Sequence, residues 1–269
     1  MKIFKATNTL DGYVPELEYT TDKTEAEVIL VGGKAFDLTE FPNLKGVFKT
    51  GVGTDNLPFE QAKELGVIIE LPSAQTCDTI YDETAAFTCH LILKAIYAGC
   101  GDWDSWTKVD RQMTSSRRLL VIGAGKIGGK VATKMSGIMD VTTFDAATDP
   151  EENLEGLIRK ADCISLHIPL MPATTGYFGK EKLSWMKDGA ALVNTARGPV
   201  ADEEALHAEL VTGRIRAAFD VYWKEPYRGI LSELPEDRFI RTPHIASTCK
   251  EFIQGTADDF LKFLKDLDN

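Results

Sequence analysis

The sequence predicts an α/β protein built on parallel sheets. Three observations carry that expectation. Short apolar runs alternate with helix-like stretches along the whole chain. Of the 269 residues, 43% are apolar and 26% charged, an ordinary globular balance spread too evenly for disorder. One apolar run also passes directly into a glycine-rich turn and then into apolar residues at helical spacing, from Leu119 to Ile138.

In chain order, the N-terminal Lys2-Ile3-Phe4-Lys5 is strand-like, and 28–31, 46–49 and 67–70 read as strands. Further strands are expected at 118–122, 141–144, 163–168, 190–194, 217–221 and 239–241. Helices are expected at 59–65, 127–136, 153–160, 180–186, 203–211 and 252–267, with 83–98 as one long, mostly apolar helix. The polar, tryptophan-bearing stretch 99–116 then reads as a domain junction. No repeat with a period of 20–50 residues is present.

The formal net charge of −11 disfavours binding to nucleic acid or anionic lipid by bulk charge, but leaves room for a small anionic substrate. No run of about 20 apolar residues exists, so no membrane span is expected. The N-terminus lacks the apolar core of a signal peptide. Cys77, Cys89, Cys100, Cys163 and Cys249 are odd in number and form no CxxC pair. They are expected to be free thiols in a reducing cytoplasm, with neither a disulfide framework nor a metal site.

Gly123-Ala124-Gly125-Lys126-Ile127-Gly128 follows the apolar Leu119-Leu120-Val121-Ile122 at once, which is GxGxxG in a strand–turn–helix context. Gly123 permits the tight turn, Gly125 lets the backbone approach a pyrophosphate, and Gly128 lets helix and strand pack closely. The helix N-terminus supplies free N–H groups for the phosphates. A second strand ends in Asp145, near the spacing of about 20 residues at which a carboxylate binds ribose hydroxyls. No Arg or Lys lies in 146–150, so NAD is expected rather than NADP.

Three later segments end strands with chemically useful residues. Arg197 closes Asn194-Thr195-Ala196-Arg197, Glu225 follows Asp220-Val221-Tyr222-Trp223-Lys224, and His244 sits in Thr242-Pro243-His244-Ile245. In open α/β sheets, ligands bind outside the carboxyl ends of the strands. Hydride transfer from an alcohol requires a base near neutral pH, which histidine supplies. A carboxylate orients the ring and favours its charged form. A guanidinium holds a substrate carboxylate through two parallel bonds. Taken singly, Arg197 also reads as a surface ion-pair partner, Glu225 as a solvated turn residue and His244 as a core histidine.

Together these segments resemble the D-2-hydroxyacid dehydrogenase family, which includes the phosphoglycerate, glycerate/hydroxypyruvate and D-lactate dehydrogenases. The likeness runs from about residue 41 to 248. It rests on Leu44-Lys45-Gly46 through Gly51-Val52-Gly53-Thr54-Asp55-Asn56, on AKELGV from Ala62, on MKDGAALVNTARGP from Met186, and on Thr242-Pro243-His244-Ile245-Ala246. The resemblance implies two Rossmann/flavodoxin-like domains with a cofactor cleft between them. Residues 1–82 plus 248–269 would form the substrate domain and 83–247 the dinucleotide-binding domain. It implies that Arg197 binds the substrate carboxylate and 2-oxygen, that His244 is the general acid/base, and that Glu225 orients it. Lys126 and Ile127 would lie on the pyrophosphate, with Asp145 on the adenine ribose. His167, Ile168, Pro169 and Thr174 would line the adenosine side. Thr195, Ala196 and Asp220 would meet the nicotinamide half. Amides around Gly51, Val52 and Gly53 would hold the substrate carboxylate. A homodimer through 99–117 is also implied, with Trp103 and Trp106 either interface anchors or intradomain packing.

The sequence departs from the family pattern in places. The N-terminal half lacks part of a strand–helix unit, and the dimer segment is short. Residues 71–83 carry about two extra residues in a turn, with Gln75, Asp78 and Asp82 adding polarity near the cleft. Lys49 is the main substrate clue: it reads either as a cation for a phosphate or second carboxylate, or as a solvated loop lysine. The first expectation for the small anionic 2-hydroxy/2-oxo acid is therefore 3-phosphoglycerate. Two other outcomes of the same scaffold stay open: an NAD-sensing, corepressor-like regulator, and a formate- or phosphite-type dehydrogenase.

Overall fold

A strand buried on all sides belongs in a parallel sheet covered on both faces. The computed structural model, which describes residues 1–268, contains two such sheets, one in each of two compact units. The first unit comprises Met1–Ile80 and the chain from Thr248 onward, and the second is Tyr81–Ser247.

In the first unit, β1 (Ile3–Lys5), β2 (Tyr19–Thr20), β3 (Val28–Val31), β4 (Gly46–Lys49) and β5 (Ile68–Glu70) form a sheet in the order β2-β1-β3-β4-β5. Every pairing is parallel. This is the flavodoxin-like order. Side chains alternate across the sheet. Ile29, Val31 and Val47 face a core with Leu38, Phe41 and Ala62, the last from α1 (Phe59–Leu65). Val28, Leu30 and Phe48 face another with Ala257, Phe260 and Phe263. Those three belong to the long C-terminal α7 (Lys250–Asp268). The missing strand–helix unit resolves into a strand without its helix. β2 is present, and the loop before it covers the sheet with Leu10, Tyr13, Val14 and Leu17 instead.

The long helix starts earlier than its apolar pattern suggests. α2 runs Ala74–Tyr97, so most of the segment expected as an enlarged turn is helical. Ser73 caps it, with Oγ accepting from Thr76 N at 3.3 Å. Asp82 therefore lies on a helix face, where it pairs with Lys130 and Lys134 at 3.5 and 3.1 Å. The division between the units falls within α2, two residues before the expected boundary.

The second unit opens with a two-strand hairpin that the sequence did not suggest, β6 (Gly101–Asp102) and β7 (Thr107–Lys108). Its sheet follows: β8 (Arg118–Ile122), β9 (Asp140–Phe144), β10 (Cys163–Leu166), β11 (Ala191–Asn194), β12 (Arg216–Phe219) and β13 (Phe239–Arg241). The order is β13-β12-β11-β10-β8-β9, all parallel. The chain builds outward from β8 in both directions, so the switch point lies between β8 and β10. Leu119, Val121, Cys163 and Val193 pack toward α2 and α3 (Lys126–Met135). Leu120, Ile122, Ile164 and Leu192 pack on the opposite face. That face is covered by α4 (Leu154–Ile158), α5 (Lys180–Trp185) and α6 (Glu203–Thr212). No helix among the described residues is long and apolar enough to cross a membrane.

Phe48 is fully buried and meets the rings of Phe260 and Phe263 at 5.2 and 5.6 Å between centroids. Phe48→Ala should therefore destabilise the first unit by about 3–5 kcal/mol. Urea denaturation followed by circular dichroism checks this. An unchanged midpoint would show that the α7 contact does not hold that sheet.

Candidate active site

All six parallel strands of the second unit end at one edge, and each delivers a residue singled out from the sequence. β8 leads into the glycine loop, β9 into Asp145 and β10 into His167. β11 leads into Arg197, β12 into Asp220 and Glu225, and β13 into His244.

The glycine loop has the tight packing its motif requires. Gly123 has φ of +94°, and a Cβ there would lie 2.6 Å from His167 O. At Gly128 a Cβ would lie 1.9 Å from Gly123 O, so neither position accepts a side chain. At Gly125 a Cβ would meet nothing within 4 Å, and no side chain caps α3 there. The first amides of α3, from Lys126 and Ile127, therefore stand at an open helix N-terminus suited to phosphate oxygens. Asp145 accepts from Ala124 N at 2.9 Å and from Ala147 N at 3.0 Å, which fixes its carboxylate beside the loop. These features fit a dinucleotide with unphosphorylated ribose hydroxyls.

The residues expected on the adenosine side have defined local roles. His167 Nε2 is 2.8 Å from the buried Ser165 Oγ, and burial pushes its pKa down to about 4. The ring is thereby held against the sheet beside the glycine loop. Ile168 packs on the core and, with His167, against the glycine loop. Thr174 donates to Pro169 O at 2.6 Å and accepts from Met171 N at 2.8 Å, so its hydroxyl closes its own loop.

The Arg197 turn is held by a residue that sequence reasoning missed. Asn194 is fully buried; its Oδ1 accepts from Ala196 N at 3.0 Å and its Nδ2 donates to Arg197 O at 2.9 Å. A polar amide ending an apolar strand was the available signal. Arg197 Nη1 donates to Ala196 O at 2.7 Å. Beside it, Gly198 touches the next strand's loop so closely that a Cβ would lie 2.1 Å from Tyr222 C. Thr195 Oγ1 is 2.8 Å from Thr88 Oγ1, whose own proton goes to Thr84 O at 2.7 Å. Thr195 is thus the donor to Thr88, and its oxygen is left as an acceptor.

His244 Nδ1 lies 2.7 Å from Glu225 Oε2, and the two side chains keep 44% and 38% of their surface exposed. Glu225 Oε1 also accepts from Tyr222 N at 3.1 Å. The hydrogen bond to Glu225 raises the His244 pKa above 6.5 against the opposing effect of burial. Burial also opposes ionisation of Glu225, but the bond and charge of His244 outweigh it and hold that carboxyl below its usual range. His244 adopts φ of +54°, a left-handed backbone unusual for a side-chain-bearing residue.

Asp220 explains that conformation. Its side chain is fully buried and both oxygens face the His244 loop, where they take Thr242 Oγ1 at 2.5 Å, Ile245 N at 2.9 Å and Ala246 N at 2.8 Å. These bonds make it a positioning group for that turn. Desolvation raises its pKa, and these three donors counter that.

In the first unit, Gly51, Val52 and Gly53 leave β4 at its carboxyl end, partly exposed. Lys49 is neither a loop residue nor solvated. It is the buried last residue of β4, and its Nζ donates to Gly32 O at 2.6 Å and Asn56 Oδ1 at 2.7 Å. Asn56 in turn donates to Gly32 O and Lys34 O. Lys49 thereby ties two loops together.

Residues 89–246 match the family described as D-isomer specific 2-hydroxyacid dehydrogenase, NAD binding domain. The hydroxypyruvate reductase of Thermotoga maritima is 31% identical over 255 residues, covering 88% of this chain and 80% of that one. The glycerate dehydrogenase of Methylorubrum extorquens is 32% identical, with 85% and 77% covered. The D-3-phosphoglycerate dehydrogenase of Archaeoglobus fulgidus is 30% identical over 85% of this chain but only 44% of its own length. The structure of D-lactate dehydrogenase from Aquifex aeolicus, complexed with NAD and lactic acid, superposes with a TM-score of 0.80. It covers 100% of this chain and 95% of its own at 24% identity, and shares the fold. With the glycine loop, Asp145 and the paired Glu225 and His244 in place, the chain belongs to the D-isomer specific 2-hydroxyacid dehydrogenase family and is an NAD-dependent oxidoreductase.

Proposed function

We propose that the protein interconverts a small, unphosphorylated D-2-hydroxy acid and its 2-oxo acid, with D-glycerate and hydroxypyruvate the pair to test first. The observation that carries the reaction is the 2.7 Å contact between His244 Nδ1 and Glu225, with Arg197 on an adjacent strand end. With Nδ1 committed to the carboxylate, Nε2 is the atom left to exchange a proton with the substrate hydroxyl. The helix amides of Lys126 and Ile127 and the Asp145 carboxylate would hold NAD, which would supply the hydride acceptor for C2. Arg197 holds the substrate carboxylate, and Glu225 keeps the imidazolium formed during oxidation in place.

The preference for an unphosphorylated acid rests on Lys49. Its buried ammonium donates to Gly32 O and Asn56 Oδ1, so the cation proposed for a phosphate already serves the fold. The relatives named for hydroxypyruvate and glycerate also match over most of their own length. Five free thiols support a reducing compartment, the cytoplasm. A homodimer is supported by Trp103 and Trp106, 79% and 68% exposed, whose rings pack on each other rather than into the unit.

His244→Ala should lower kcat by about 10²–10⁴-fold while NADH binding, followed by fluorescence, stays within twofold. Full activity of this variant would end the assignment. The raised His244 pKa sets the pH dependence. Oxidation needs neutral imidazole and should rise with pH through a midpoint above 6.5, whereas reduction needs imidazolium and should fall through the same midpoint. Glu225→Gln should move both limbs to lower pH, as measured in kcat/KM profiles. With the wild type, kcat/KM for D-glycerate should exceed that for 3-phosphoglycerate by at least about tenfold, the scale of one ion pair. The opposite ranking would restore a phosphorylated substrate. Light scattering should report a dimer that Trp103→Ser/Trp106→Ser converts to monomer; a monomeric parent would rule the dimer out.

A further inference from the structure

Tyr222 bonds one half of the acid–base pair directly and the turn that carries the other half. Its main-chain N–H donates to Glu225 Oε1 at 3.1 Å, while Oε2 of that carboxylate meets His244 Nδ1 at 2.7 Å. Its phenol oxygen lies 2.8 Å from Thr242 O and 3.1 Å from Phe219 O. Both are acceptors, so the single phenol proton goes chiefly to the nearer one. Thr242 O also accepts the N–H of His244 itself, at 3.0 Å. The phenol therefore grips the carbonyl that closes the tight turn in which His244 takes its left-handed backbone.

The ring has little freedom to release that carbonyl. It stacks on Tyr227 with centroids 4.8 Å apart at 20°, and meets Phe239 edge-on at 6.5 Å. Tyr227 is itself tied to Glu203 Oε1 at 2.6 Å. Gly198, next to Arg197, abuts the Tyr222 backbone from the other side.

We propose that Tyr222 is a positioning residue for the acid–base pair: its main chain sets Glu225 and its hydroxyl sets the His244 turn. The catalytic consequence rests on the dehydrogenase reading above, but the positioning itself does not.

The test is Tyr222→Phe, which keeps the stacked ring and removes only the hydroxyl. Imidazole NMR titration reads His244 without cofactor or substrate, its signal assigned by loss in His244→Ala. The charged groups facing the ring, Glu225, Asp220 and Arg197, all remain in the variant. The His244 midpoint should move to lower pH, because a loosened turn weakens its bond to Glu225. In parallel, kcat should fall about tenfold, the scale of one buried hydrogen bond, with NADH affinity unchanged. Tyr227→Phe removes a neighbouring hydroxyl of the same stack and should leave the His244 titration in place. The proposal is overturned if the Tyr222→Phe midpoint coincides with the parent's, or if Tyr227→Phe moves it equally. A shifted midpoint in a protein whose parent shows no turnover would uphold the positioning and remove the dehydrogenase reading instead.

Discussion

A carboxylate with no exposed surface must be satisfied by its neighbours, and Asp220 is satisfied entirely by the segment that carries His244. The rest of the site follows from that constraint. For Ile245 and Ala246 to turn their amides onto one carboxylate, the chain must reverse sharply at His244, and the left-handed backbone is the result. Such a conformation costs about 1–3 kcal/mol and persists only where the surroundings over-determine it. Here they do so by bonding the main chain on both sides of the residue while the imidazole itself stays exposed enough to meet a small molecule.

The sheet supplies the second ordering influence. Six parallel strands place their carboxyl ends along one edge, so residues far apart in sequence reach the same neighbourhood without long loops. The short connections are stiffened individually. Asn194 brackets the Arg197 turn, Thr174 closes the loop after Pro169, and Asp149 accepts from Asp145 N at 2.8 Å. Each is a small polar side chain bonded to its own backbone, the chemistry that Asn, Asp and Thr bring to turns.

Much of this was legible in the sequence. Apolar runs such as 28–31, 46–49, 118–122 and 239–241 coincide with strands because their central residues are buried on both faces. The start of α2 was hidden because Ser73 to Asp82 is largely polar and one side of that helix turn faces solvent. The hairpin at 101–108 was hidden because its strands are two residues each and fully exposed, with no apolar period to read. At the site, residue types announced the chemistry but not its partners. For Lys49 the residue type suggested a cation for an anion but did not show its bonds to Gly32 O and Asn56 Oδ1. For Asp220 the pattern located the carboxylate without showing the three donors of the His244 turn that it satisfies.

The same distinction bears on Asp145. Both of its oxygens are already engaged with backbone amides, one from the glycine loop and one from its own turn. Its rotamer is settled during folding, and a carboxylate oxygen carries lone pairs for more than one donor. A ribose hydroxyl placed there would add a bond to an acceptor that neither searches for it nor surrenders an earlier partner. Capture of a dinucleotide at this point would reduce the freedom of the ligand far more than that of the protein, which is the thermodynamic meaning of a preorganised site.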